Sequence, residues 1–178
     1  MKEFANVGVV LPAGGVGSRI GASSPKQLLK IGSKPIFFYS IRAFKKALPG
    51  AKIILVCAEE LVSVYQKSLE DIDVSFVAAG KERYQSVANG INALSANIEH
   101  VLIHDVARPF VSKTIILETL KTLKSKGSCI VAKSVSDTVK IVTDGIIRDT
   151  LSRDEIYLAQ TPQAFSKQKL KNAYKELD

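Results

Sequence analysis

Residues 11–26 read Leu-Pro-Ala-Gly-Gly-Val-Gly-Ser-Arg-Ile-Gly-Ala-Ser-Ser-Pro-Lys, directly after a short valine-rich run. A strand that empties into glycines lets backbone N–H groups turn toward an anion, because residues without Cβ allow close approach. The chemistry on offer is a phosphate cradle, and fine spacing decides which kind. A dinucleotide fingerprint needs G-x-G-x-x-G and an acidic residue closing the next strand, but Ile20 stands where the third glycine belongs and the next strand ends at Cys57. A P-loop needs Gly-Lys-Ser/Thr, and this loop offers Gly17-Ser18-Arg19. What remains is a glycine loop followed by two cations, Arg19 and, behind Pro25, Lys26, which could grip a triphosphate from different sides.

Such a loop needs a rigid scaffold. Apolar stretches rich in Val, Ile and Leu recur at 7–11, 52–57, 74–78, 100–104 and 129–132, each of a length suited to a strand buried on both faces. Helical spacing fills 35–47, 59–69, 84–96 and 112–125, the first opening on Pro35 and the last on Ser112 as N-cap. Strands alternating with helices predict a doubly wound, mostly parallel, Rossmann-like α/β sheet with ligands at the carboxyl ends of its strands. The pattern changes after Ser134, where segments 137–142 and 146–152 flank Thr143-Asp144-Gly145, and Asp-Gly is a hairpin signal. A protruding hairpin arm with so little apolar alternation does not stand alone in water, and a second subunit is one surface it could pack on. With no repeat, low-complexity tract or linker, one domain over 1–178 with its arm at about 136–158 is expected.

At 46% apolar and 24% charged residues the composition is that of a soluble globular chain, and no apolar run approaches the ~18 residues of a membrane span. The N-terminus Met-Lys-Glu-Phe-Ala-Asn lacks the apolar core and cleavage site of a secretory signal, so a cytoplasmic location is expected. Cys57 and Cys129 each fall inside a predicted strand and read as packing residues rather than a disulfide framework. The net charge of +8 comes from lysines scattered singly along predicted helices, which argues against a nucleic-acid partner and suits a site that collects small anions. His100 and His104, on one strand, stand ~13 Å apart by strand rise, too far to share a zinc ion. No Ser/His/Asp or Cys/His nucleophile set is recognisable.

Further motifs follow the loop in order: Ala79-Gly80-Lys81-Glu82-Arg83-Tyr84-Gln85-Ser86-Val87, His104-Asp105-Val106-Ala107-Arg108-Pro109, Asp137-Thr138-Val139-Lys140 and, after Arg153, Gln160-Thr161-Pro162-Gln163. With Pro-Ala-Gly-Gly-x-Gly-x-Arg and Pro-Lys-Gln before them, the chain resembles the sugar-phosphate nucleotidylyltransferases. The order and spacing of the later motifs are similar to those of the 2-C-methyl-D-erythritol 4-phosphate cytidylyltransferase family, over residues 7 to about 166.

The resemblance implies CTP as nucleotide and Mg²⁺ as cofactor. It implies that Pro12, Ala13, Gly14, Gly15 and Gly17 cradle the nucleotide with Arg19 and Lys26, and that these two cations stabilise the charge that builds as an acceptor phosphate attacks the α-phosphorus. Gly80, Arg83 and Ser86 would form a loop at the cytosine edge. Asp105, at the end of the fourth strand, is the metal candidate and borders the acceptor, with an N-cap as its bland alternative. Arg108 would lie near the acceptor or pair with Asp105. Thr138, Arg153 and Thr161 belong to the arm and its return and are expected at the acceptor, and the resemblance implies that Thr138 and Arg153 reach its phosphate across a homodimer, Arg153 joining Arg19 and Lys26 as a catalytic group. Ribitol-5-phosphate cytidylyltransferase shares the same loops and is the rival acceptor reading; a CTP-binding chain without turnover is the third. The chain departs from the family's usual pattern at Val106, where alanine is commoner. It also ends at Asp178, where members of the family continue through a further strand and helix with another lysine for the acceptor. The expectation is a C-terminally short member whose longer version turns over better.

Overall fold

The computed structural model of the protein describes residues 3–14, 25–69 and 71–176. In chain order these form β1 (Val7–Pro12), a small antiparallel pair β2 (Lys30–Ile31) and β3 (Lys34–Pro35), α1 (Ile36–Ala47), β4 (Lys52–Cys57), α2 (Val62–Ser68), β5 (Ser75–Ala78) and α3 (Arg83–Asn92). There follow β6 (His100–Ile103), α4 (Lys113–Lys126), β7 (Ser128–Ser134), the pair β8 (Val139–Thr143) and β9 (Ile146–Leu151), β10 (Tyr157–Ser166) and α5 (Lys167–Lys175).

The main sheet has the order β5-β4-β1-β6-β10-β7. β1 pairs in parallel with both β4 and β6, and β4 with β5, which makes it the doubly wound, mostly parallel arrangement the alternation predicts. Its side chains divide by the two-residue period of a strand. Val9, Leu11, Ile53 and Leu55 pack with Phe37, Ile41 and Phe44 of α1, Tyr65 of α2 and Ile116 and Leu120 of α4. Val10, Ile54 and Val56 face the other way, onto Val87 and Ile91 of α3, with Leu170 and Tyr174 of α5 beside them. Cys57 is buried and Cys129 partly so, and both are free thiols.

Several elements differ from the expectation. β10 is antiparallel to both β6 and β7 and lies between them, so β7 is not the direct neighbour of the parallel strands. Pro162 lies inside β10, where the pairing register shifts between Ala159 and Gln163; a proline without an N–H in a run of Gln and Thr hides the strand from an apolar-pattern reading. The helix read at 59–69 starts as a 3-10 turn, Glu59–Leu61, before α2. The helix read at 84–96 begins at Arg83 and ends at Asn92, so Arg83 and Ser86 stand on its first turn and not in a loop. Ser112 does cap α4, its Oγ accepting from Ile115 N at 3.2 Å, and the hairpin turn has positive φ at both Asp144 and Gly145. No helix among the described residues is long and apolar enough to cross a membrane.

α3 approaches the sheet through Gly90, where an added Cβ would lie 2.5 Å from Val10 Cγ1 and 2.9 Å from Val56 Cγ2. Interiors this close-packed accept an extra methyl only by forcing side chains off their rotamers or shifting backbone. Gly90→Ala should therefore destabilise the protein by about 1–3 kcal/mol despite the higher helix propensity of alanine, measured as a lower denaturation midpoint at unchanged slope.

Candidate active site

At the carboxyl end of β1 the chain is pinned on both sides before it enters the glycine loop. Ala13 N donates to Val56 O at 2.7 Å, and Ala13 O accepts from Nε2 of the buried Gln27 at 2.6 Å. Gln27 belongs to the 3-10 turn Lys26–Leu28, so the amide that holds the loop's start sits beside the lysine at its far end. Gly15, Gly17 and Arg19 lie outside the described residues. Pro12, Ala13, Gly14 and Lys26 line one side of a cleft of about 640 Å³.

The turn before α3 lines the same cleft, next to Gly14. Gly80 N donates to Ser86 Oγ at 3.0 Å, and a Cβ on Gly80 would fall 2.3 Å from Gln85 Cβ, so this turn admits only glycine. Glu82 and Gln85 form a reciprocal capping box that fixes the start of α3 and with it Arg83.

Asp105 and Arg108 come from the loop after β6. Arg83 donates from Nε and Nη2 to Asp105 Oδ1, at 3.3 and 3.0 Å, while Arg108 Nε donates to Oδ2 at 3.1 Å. Arg108 Nη1 also donates to Gln160 Oε1 of β10. Burial pushes the Asp105 carboxyl up, but the charges and hydrogen bonds of Arg83 and Arg108 outweigh it and hold the group below the usual carboxylate range. Asp105 is thus an anion at neutral pH, tied to two of the cleft's cations, with Lys26 and Lys81 adding further positive charge. A concave site of this size with a cation excess is suited to a polyphosphate.

A model of the family described as 2-C-methyl-D-erythritol 4-phosphate cytidylyltransferase matches residues 7–178. The chain belongs to this family. The Lachnoclostridium phytofermentans protein of that name is 36% identical over 176 residues, covering 96% of this chain and 75% of its own length. That of Bacillus thuringiensis is 37% identical over 171 residues, covering 94% and 75%. The crystal structure of 4-diphosphocytidyl-2C-methyl-D-erythritol synthase from Anaerococcus prevotii superposes with a TM-score of 0.85 at 28% identity, over 96% of this chain and 75% of that one.

In this cytidylyltransferase chain the described candidate residues divide into groups. Pro12, Ala13, Gly14, Lys26, Gly80, Arg83, Ser86, Asp105 and Arg108 share the cleft. Thr161 lines an adjoining cavity on the other side of Arg108. Thr138 and Arg153 are exposed on the arm and do not line this cleft; Arg153 Nη1 donates to Ser136 O at 3.5 Å. Gln27, Gln160 and His104 had no role assigned from the sequence. A glutamine beside the loop's lysine, followed by Leu28 and Leu29, was the available signal that Gln27 is turned inward.

Because Gly80 tolerates no Cβ, Gly80→Ala must displace Gln85 and the start of α3. It should raise the KM for CTP by about tenfold or more and also lower the melting temperature, checked by steady-state kinetics beside a thermal melt.

Proposed function

We propose that the protein transfers the cytidylyl group of CTP to 2-C-methyl-D-erythritol 4-phosphate and releases pyrophosphate, a step in making isoprenoid precursors. The observation that carries this reading is the single cleft in which the end of β1, Lys26, the Gly80 turn and the Arg83–Asp105–Arg108 cluster meet, in a chain of this family. A phosphate oxygen of the acceptor forms a bond to the α-phosphorus, the bond to the bridging oxygen of the β-phosphate breaks, and pyrophosphate leaves with that electron pair. No protein nucleophile is needed. Lys26, with Arg19 from the glycine loop, neutralises charge on the triphosphate as it builds, and the Gly80 turn holds the nucleoside end.

Among the described residues no group of three or more His, Cys, Asp or Glu could enclose a metal ion. The donor set nonetheless fits Mg²⁺, which binds through one or two carboxylates plus substrate phosphates and water, and Asp105 supplies one ionised carboxylate on the cleft wall. Asp105 would hold the ion, which would supply positive charge beside the triphosphate as negative charge builds. Arg83 and Arg108 each hold one of its two oxygens and keep the carboxylate ionised and aimed.

The arm supports a homodimer. Ile146 and Ile147 are 59% and 61% exposed, and Val142, Tyr157 and Leu158 are also exposed, an apolar surface that a lone protomer leaves in water. We assign Thr138 and Arg153 to the acceptor phosphate of the neighbouring subunit, the protein to the cytoplasm, and the whole catalytic unit to one domain.

Turnover is read as pyrophosphate release with CTP and each acceptor. Release with 2-C-methyl-D-erythritol 4-phosphate is expected; release with ribitol 5-phosphate alone, or CTP binding without release, would replace this reading. Lys26→Ala should lower kcat by about 10³-fold. A mixture of Lys26→Ala and Arg153→Ala proteins, refolded together, should recover activity that neither has alone, because one site of the mixed dimer keeps both an intact cleft and an intact arm. No recovery would place Arg153 in its own subunit's site or outside the chemistry.

A further inference from the structure

His104 is 1% exposed and follows β6 directly. Its amide donates to Val10 O at 3.0 Å, and its ring lies tilted against Phe44 with centroids 5.1 Å apart. Its Nε2 is 3.0 Å from Arg108 O. A carbonyl only accepts, so Nε2 carries the hydrogen and Nδ1 of the neutral ring is an acceptor. Thr161 Oγ1 lies 2.9 Å from that Nδ1 and accepts from Asp105 N at 3.3 Å. The hydrogen bonds therefore run one way: Asp105 N–H to Thr161, the Thr161 hydroxyl to His104, and His104 to the Arg108 carbonyl.

This chain clasps both ends of the loop that presents Asp105 and Arg108 to the cleft. From the other side Ser40 Oγ of α1 donates to Val106 O at 2.6 Å, so the loop is gripped between α1 and β10. A buried histidine that served only as filler would need partners, but not two partners that bracket the cleft's carboxylate and guanidinium. Thr161 was expected to touch the acceptor; its single hydrogen is committed to His104, which leaves none to donate to a phosphate.

We propose that His104 is a positioning residue for cytidylyl transfer, acting through Thr161 and the Arg108 carbonyl to set where Asp105 and Arg108 meet the substrates. Thr161 acts on the same loop, through the Asp105 amide. The inference rests on the function proposed above, and a misplacement of this kind far from the bond being made is enough to slow the reaction.

The test compares Thr161→Val, Thr161→Ser, His104→Leu and the Thr161→Val/His104→Leu double variant by kcat, KM and hydrogen exchange at the Asp105 amide. Each of Thr161→Val and His104→Leu should lower kcat by about tenfold to a hundredfold with little change in the KM for CTP, and should speed exchange at Asp105. Thr161→Ser should restore most of the loss, and the double variant should be no slower than the worse single one, since both cut the same chain. Losses that multiply in the double variant overturn the proposal, as does a Thr161→Val protein with raised acceptor KM and unchanged Asp105 exchange, which would put Thr161 on the acceptor itself. If the wild-type protein turns over neither acceptor, the functional reading fails separately, and exchange at Asp105 still decides: a wild-type rate in His104→Leu overturns the positioning role.

Discussion

The cleft depends on one carboxylate held from two directions. Asp105 receives Arg83 from the first turn of α3 on one oxygen and Arg108 from its own loop on the other. Arg83 belongs to the face of the sheet covered by α3, whereas Asp105 rises from the end of a central strand, so the pair ties two layers together at the mouth of the site. Removing the carboxylate would leave two guanidiniums facing each other; removing either arginine would leave the anion partly buried with less support. The same charges let Asp105 stay ionised where burial alone would favour the neutral acid.

The rest of the architecture brings those two residues within reach. β1 lies at the centre of the parallel strands, and its alternating residues serve two cores, so its carboxyl end cannot shift without disturbing both. Gly90 lets α3 come close enough to the sheet for Arg83 to span the gap, and the capping box fixes where the helix begins. Gln27 then joins the two ends of the glycine loop by a single amide. Local choices of glycine, cap and buried amide thus translate into the position of charge.

Much of this was legible in the sequence. The parallel strands, the Asp-Gly hairpin and the Ser112 cap follow from apolar period and turn chemistry, and the residues that share the cleft are among those the family resemblance named. β10 was not, because its ladder with β7 breaks across Gln160, Thr161 and Pro162, and the strand carries no continuous apolar run. α5 was hidden by its polar composition, which leaves only residues such as Leu170 and Tyr174 to mark its inner face. Arg83 and Ser86 were expected in a loop because the helix start is set by side-chain capping at Glu82, three residues from the glutamine that completes it. The partners of His104 lie far apart in sequence, and a spacing argument against zinc said nothing about which hydrogen bonds the ring makes.

The insertion of β10 between β6 and β7 also bears on how the chain reaches this state. β7 has no ladder with β6, so the sheet's last strand can seat only after the chain has run out through the arm and returned as β10. That is a long-range closure, of the kind that slows folding. Yet loop-closure entropy rises only logarithmically with length, about 0.6 kcal/mol per doubling. The segment between the two legs is therefore free to lengthen or shorten at small cost to the fold, and its dimensions can follow whatever surface it has to grip.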